Sequence, residues 1–179
     1  ALAEIAARFD AWLMSDDAHG VGVLARGRGS RAHFAPPPDV PLQMGTLSKA
    51  LGSYGGYLCA DHEVCELVRN RARSFVYSTG LPPAAAGAAL AALGIIKTSP
   101  DICARPLALA RSFASQLGLT EAQSPIVPIV LGPEDVALDV SRIIEDAGFL
   151  VTAIRPPTVP AGTSRLRVTF TAGHSEAQV

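Results

Sequence analysis

The stretch Trp12-Leu13-Met14-Ser15-Asp16-Asp17-Ala18-His19-Gly20 decides how this chain is read. Three apolar residues run straight into a pair of carboxylates, a histidine and a glycine. A short buried strand that delivers polar groups at its C-terminal end has this form, and ligands of open α/β sheets bind at such ends. Outward from it, residues 21–39 are rich in Gly, Arg and Pro and read as loop. Residues 40–45 form a second strand candidate, and Thr46-Leu47-Ser48-Lys49 follows it. Gly52, Gly55 and Gly56 then punctuate a turn into a third strand over 57–60.

Farther along, residues 61–73 carry helical spacing (Val64, Leu67, Val68) behind an Asp that can cap the first turn. Residues 75–77 read as a brief strand. Pro82-Pro83 opens an Ala-rich helix, with proline tolerated in the first turn. A further helix restarts at Ser99-Pro100-Asp101 and runs to about Leu117, with Leu107, Ala110, Phe113, Ala114 and Leu117 on one face. Residues 126–131 are a strand, 134–147 a helix stopped by Gly148, and 149–154 and 165–170 are strands. The last alternates, with Leu166, Val168 and Phe170 on one side and Arg165, Arg167 and Thr169 on the other. The pattern changes character near residue 98. We therefore expect an α/β chain in which 1–97 belong to a large domain and 98–179 form a smaller α+β domain. An amphipathic pattern at the start (Ile5, Phe9) and a helix just beginning at Ser175-Glu176-Ala177 suggest that both ends are cut from a longer protein.

Composition excludes several classes. Apolar residues make up 49% and charged residues 17%, so disorder is not expected. A net charge of −1 without a basic block argues against nucleic acid as a partner. Cys59, Cys65 and Cys103 form no CxxC pair and are odd in number, which speaks against a disulfide framework or a zinc site and fits a reducing cytoplasm. The apolar run over 81–96 is short for a membrane span and reads as a tightly packed helix.

Two clusters carry chemistry, Asp16-x-x-His19 and Thr46-x-x-Lys49, each following a strand. Only two lysines occur, Lys49 and Lys97, and Met44 to Gly56 contains no other charge than Lys49. A lysine in so apolar a setting is costly unless used, and burial would lower its pKa as a lysine that condenses with an aldehyde requires. Pyridoxal phosphate (PLP) asks a protein for a lysine, an acid at the pyridine nitrogen, a partner for the phenolic oxygen and groups for the phosphate. Lys49, Asp16, His19 and Thr46 supply one of each.

Four stretches together resemble the successive motifs of the α-oxoamine synthases, a family of fold-type I PLP enzymes. They are Asp-Asp-Ala-His-Gly-x-Gly (16–22), Thr-Leu-Ser-Lys-Ala-Leu-Gly (46–52), Tyr-Ser-Thr-Gly-Leu-Pro-Pro (77–83) and Thr-Val-Pro-Ala-Gly-Thr-Ser-Arg-Leu-Arg (158–167). Any one alone would be weak; four in order across the chain are specific. The resemblance implies the C-terminal half of a fold-type I large domain plus most of a small domain. It implies that Lys49 links covalently to PLP, Asp16 pairs with the pyridine nitrogen, His19 meets the phenolic oxygen and Thr46 the phosphate. Ser78 and Thr79 match a segment that reaches the cofactor of a neighbouring subunit, which implies a homodimer with shared sites. Arg167 matches the arginine that grips the amino-acid carboxylate, and Thr158 and Arg155 match positions near the acyl substrate. The family's upstream phosphate loop and ring-stacking histidine have no counterpart in these residues.

Within the family, 155–163 implies L-alanine and a pimeloyl thioester, on coenzyme A or acyl carrier protein, as substrates. Relatives that use glycine or serine share Asp16, His19, Lys49 and Arg167, so those residues do not choose between them. Bland readings stand beside each assignment: Asp16 as a turn cap, His19 as a satisfied histidine, Lys49 as a surface lysine, Arg167 and Arg155 as ion-pair partners. Asp17 reads as a structural carboxylate, because the family places the nitrogen's partner three residues before the histidine. His33, His62 and His174 read as structural or exposed, and Gly27-Arg28-Gly29 as plain loop. A non-catalytic piece unable to hold PLP is the rival from another class.

Overall fold

The computed structural model describes residues 1–179, which fold as two compact units, 1–104 and 105–179. The first opens with helix α1 (Leu2–Arg8) and strand β1 (Met14–Asp16), followed by single 3-10 turns at Leu24–Gly27 and Arg31–His33 in the segment read as loop. Strands β2 (Leu42–Thr46) and β3 (Gly56–Cys59) complete a sheet of order β1-β2-β3. β1 and β2 run parallel, Asp16 beside Met44, and β3 is antiparallel to β2. The long connection between β1 and β2 is what a parallel pair requires. β1 begins only at Met14, and Trp12 is 68% exposed, because this strand has a neighbour on one side only. On the other flank Tyr57 lies directly opposite Gly45, and a Cβ at Gly45 would stand 2.4 Å from the Tyr57 hydroxyl. Glycine there makes room for the ring.

Helix α2 (His62–Arg71) leads into a short helix α3 (Arg73–Val76), where the sequence suggests a strand. Phe75, Val76 and Tyr77 have strand propensity, but local hydrogen bonds win. The Ala72 carbonyl accepts from the Phe75 and Val76 N–H groups, both at 2.9 Å, and Arg73 O accepts from Tyr77 at 3.0 Å. Helix α4 (Pro83–Thr98) starts with proline in its first turn. Tight packing is not found: Ala89 is its one buried residue, and Leu90 and Ile95 are exposed. The helix is apolar on every side, a composition that calls for cover all round, and residues 1–179 bury it fully only at Ala89.

Helix α5 (Pro100–Gln116) spans the division between the units. The second unit adds β4 (Ile126–Gly132), α6 (Glu134–Asp146), β5 (Thr152–Ile154) and β6 (Ser164–Thr169), the strands forming an antiparallel sheet of order β4-β6-β5. Its core gathers Leu109, Ala110 and Ala114 of α5 with Ala122, Val127 and Phe170, and Phe113 packs its ring 5.2 Å from that of Phe170. Leu117 is exposed rather than on this face. The helix ends at Gln116 and Gly118 turns the chain at φ +64°, which takes Leu117 off the stripe. β6 alternates as its sequence suggests, with Leu166 and Phe170 buried and Arg167 and Thr169 exposed. The strand expected over 149–154 shortens to Thr152–Ile154, leaving Phe149 and Leu150 exposed.

Candidate functional site

β1 and β2 are parallel neighbours, so Asp16 and Thr46, their last residues, are delivered to the same edge of the sheet. The Asp17 N–H donates to Met44 O at 2.8 Å and continues the ladder one step past β1. The Asp17 carbonyl accepts from Gly20 N–H at 2.9 Å and Val21 N–H at 3.1 Å, which closes a turn with His19 inside it. His19 and Asp16 are exposed at this edge.

The two carboxylates are employed differently. Asp16 Oδ1 accepts from Ala18 N–H at 2.9 Å. Both oxygens of Asp17 accept from one donor, the Ser30 N–H, at 3.1 and 3.0 Å. Asp16 thus engages one oxygen within its own turn, whereas Asp17 turns both oxygens toward Ser30.

Lys49 stands at the tip of a closed loop. Leu47 N–H donates to Gly55 O and Ser53 N–H to Leu47 O, each at 2.8 Å, while Leu51, 3% exposed, anchors the loop from below. Gly52 (φ +59°) and Gly55 (φ +108°) take left-handed backbone that favours glycine. Lys49 Nζ donates to Thr46 Oγ1 at 3.1 Å. The burial expected for this lysine is absent: the side chain is exposed, because the loop projects beyond the strand ends. The two clusters meet through Gly22, where a Cβ would stand 2.6 Å from the Ala50 Cβ. A cavity of about 1080 Å³ is lined by Leu47 and Leu51 of this loop with Tyr57, Leu81 and Leu93; Lys49 itself is not part of its wall. The Tyr57 hydroxyl is held above its ordinary pKa, chiefly by burial and then by the nearby Asp17 charge.

Ser78 and Thr79 lie on the exposed segment before α4, with Ser78 Oγ donating to Phe75 O at 3.1 Å. The remaining candidates are on the second unit. Arg167 projects from the central strand β6, opposite Pro128 and Thr152, exposed and in no ion pair. Arg155 donates to Glu134 at 2.7 Å, so one of its N–H groups is committed to an ion pair. Thr158 is exposed, its N–H donating to Arg155 O at 3.0 Å. Sequence reasoning passed over Ser30 and Tyr57. Gly29, next to Ser30, and Gly45, opposite Tyr57, were the available signal, but only the folded chain brings the partners together. No group of three or more His, Cys, Asp or Glu side chains is gathered to hold a metal, and no helix is long and apolar enough to cross a membrane.

An amine hydrogen-bonded to a hydroxyl, a carboxylate at the sheet edge and an imidazole on a fixed turn fit an aldehyde cofactor that has a basic ring nitrogen and a phenolic oxygen. Lys49 retains two N–H donors beyond the Thr46 contact, and the Asp16 carboxylate accepts a single backbone N–H, so both keep capacity for such a cofactor.

The profile of the aminotransferase class I and II family matches residues 1–179. The 8-amino-7-oxononanoate synthase of Methylocella silvestris is 65% identical over 178 residues, 99% of this chain and 51% of that protein. Among solved structures, a serine palmitoyltransferase with PLP superimposes with a TM-score of 0.91 at 28% identity, over 99% of this chain and 46% of that one. The 8-amino-7-oxononanoate synthase of Francisella tularensis gives 0.79 at 25% identity, over 99% and 54%. The chain spans about half the length of the curated relatives it matches.

Proposed function

Because the chain belongs to the aminotransferase class I and II family and has the α/β fold of PLP enzymes, we propose that it serves a PLP-dependent acyltransferase of the 8-amino-7-oxononanoate synthase type. That enzyme joins L-alanine to a pimeloyl thioester, on coenzyme A or acyl carrier protein, with loss of carbon dioxide and release of the carrier's free thiol. The observation that carries the reading is the shared edge: the parallel strands end in Asp16 and Thr46 at the same end of the sheet, and Gly22 packs the His19 turn against the Lys49 loop. The 65% identity to the Methylocella silvestris enzyme favours this member of the family over the serine palmitoyltransferases, whose likeness is closer in shape but stands at 28% identity.

When bound, PLP supplies a ring that takes up the electron pair left on the amino acid's α-carbon. The chain's own residues prepare for that. The Asp16 carboxylate holds a proton at the ring nitrogen. His19 hydrogen-bonds the phenolic oxygen, and the Thr46 hydroxyl serves the phosphate. Lys49 would anchor the cofactor, and its Nζ would take the α-proton of alanine and return a proton to the product. Arg167 grips the alanine carboxylate through two parallel hydrogen bonds. Thr158 and the uncommitted N–H groups of Arg155 border the acyl group. Ser78 and Thr79 reach the cofactor of a second copy in a homodimer.

The test is direct. Borohydride treatment of the PLP-loaded full-length protein, followed by peptide mapping, should fix the cofactor on the peptide containing Lys49. The same protein should condense L-alanine with a pimeloyl thioester in preference to glycine or serine with acetyl, succinyl or palmitoyl thioesters. A label on Lys97, or on no peptide, overturns the site; preference for glycine and a short acyl donor overturns the substrate.

A further inference from the structure

The loop from Gly20 to Ser30 is held in a costly conformation. Ala25 (φ +48°) and Arg26 (φ +57°) occupy left-handed backbone without being glycine, a state that persists only where surrounding contacts enforce it. Inside the loop, Gly22 N–H donates to Gly27 O at 3.0 Å and Gly29 N–H to Leu24 O at 3.1 Å. One side chain ties the loop's far end to the sheet: the Asp17 carboxylate, which accepts the Ser30 N–H with both oxygens. The loop wraps this carboxylate so closely that a Cβ at Gly20 would stand 1.8 Å from Oδ1 and one at Gly29 2.1 Å from Oδ2. Asp17 also closes the His19 turn through its carbonyl, and the same loop carries Gly22 onto Ala50, next to Lys49.

We infer that Asp17 is a positioning residue, whose carboxylate, by clamping Ser30, fixes the His19 turn against the Lys49 loop. What is required is an acceptor oxygen at that place, not contact with substrate or cofactor. The inference rests on the PLP reading only for its consequence on cofactor binding; the clamp itself needs no cofactor.

Four variants of the full-length protein test it: Asp17→Ala, Asp17→Asn, Gly20→Ala and the double variant Asp17→Ala/Gly20→Ala. Two readouts apply: trypsin cleavage after Arg26, Arg28 and Arg31 without cofactor, and the Kd for PLP by absorbance, with the pH midpoint of the bound cofactor's visible band. Asp17→Ala should speed cleavage and raise the Kd about tenfold or more, because misplacing a site's groups by about an ångström has effects of that order. Asp17→Asn, which keeps an acceptor oxygen, should stay within about twofold of wild type on both readouts. Gly20→Ala should resemble Asp17→Ala, since its methyl displaces the carboxylate. In the Asp17→Ala background the same change should add little, because the severe clash with the carboxylate is gone and only the milder approach to Ser30 N, at 3.3 Å, remains. Unchanged cleavage and Kd in Asp17→Ala overturn the inference, as does Asp17→Asn proving as damaged as Asp17→Ala, or Gly20→Ala adding its full effect in the double variant. If Asp17→Ala fails to fold, Gly20→Ala and Asp17→Asn still decide it. Wild-type protein that takes up no PLP sinks the proposed function, and the cofactor-free cleavage comparison tells that failure apart from failure of the clamp.

Discussion

Asp16 and Asp17 are adjacent in sequence, yet their hydrogen bonds separate them: one carboxylate binds within its own turn through Oδ1 and the other reaches Ser30 with both oxygens. Asp16→Ala is therefore expected to cut condensation by about three orders of magnitude or more, the scale of a removed preorganised charge, while circular dichroism stays that of wild type. An Asp16→Ala enzyme with near-normal turnover would remove Asp16 from the site. Arg167 is a comparable case on the second unit. It stands exposed, without a carboxylate partner, on the central strand. Arg167→Lys keeps the charge and loses the planar fork, so KM for L-alanine should rise at least about tenfold with PLP affinity unchanged. A KM that does not move would mean that Arg167 does not hold the carboxylate. Ser164 is a different kind of residue. It is 0% exposed, and its Oγ has no hydrogen-bond partner. A buried hydroxyl without a partner costs about 1–3 kcal/mol, so Ser164→Ala should leave Tm unchanged or raise it by a few degrees. A clear fall in Tm would contradict that account.

Elements present these residues, and the joint between them is Gly22. With φ +81° and Ala50 Cβ at 2.6 Å from where its own Cβ would be, this position accepts no side chain unless the His19 turn and the Lys49 loop move apart. Gly22→Ala is expected to destabilise the protein by about 1–3 kcal/mol and to weaken PLP binding, as read by chemical denaturation and absorbance titration. Equal stability and affinity would mean that the two elements are not set by this contact. Cys103, on α5, reports packing in the same unit. It is 5% exposed, and burial pushes its thiol above the ordinary pKa, whereas Cys59 is exposed. A raised pKa leaves less thiolate at a given pH, so iodoacetamide at pH 8 should label Cys59 well before Cys103 in native protein, and comparable rates would refute the burial. The sequence carried the order of strands and helices well, because period-2 and period-3.6 patterns are local. It also placed the Asp16–His19 and Thr46–Lys49 clusters at strand ends, where Asp16 and Thr46 close β1 and β2. It misread 75–77, where strand-forming residues are captured by hydrogen bonds to Ala72 and Arg73. It could not reveal the Asp17–Ser30 clamp, which joins residues thirteen apart through a side chain. Nor could it foresee that Lys49 would be exposed, since exposure depends on what packs around a loop and not on the loop's own composition.

At the scale of the whole molecule, the segment around Ser78 and Thr79 bears on assembly. Phe75, Val76 and Tyr77 are exposed just before it, and α4 just after it leaves Leu90 and Ile95 exposed. Apolar surface of this extent around two hydroxyl residues suits a face covered by a second copy in the proposed homodimer, with Thr79 of one copy reaching the cofactor held by Lys49 of the other. That arrangement has a quantitative consequence for mixed dimers. Take two variants of the full-length protein, Lys49→Ala, which lacks the anchoring amine, and Thr79→Glu, which sets a carboxylate against the cofactor's phosphate. Each alone should be inactive. If they are unfolded together and refolded in equal amounts, about half of the dimers contain one copy of each, by random pairing. In such a dimer one site combines both lesions, and the other combines an intact Lys49 with an intact Thr79. Activity should therefore return to about a quarter of that of wild-type protein refolded in the same way. If Thr79 served its own copy's cofactor, each site in the mixed dimer would still carry one lesion and no activity would return. Sedimentation of the refolded mixture fixes the fraction of dimers, so a monomeric protein, or a dimer that regains nothing, would each refute the shared site on separate grounds.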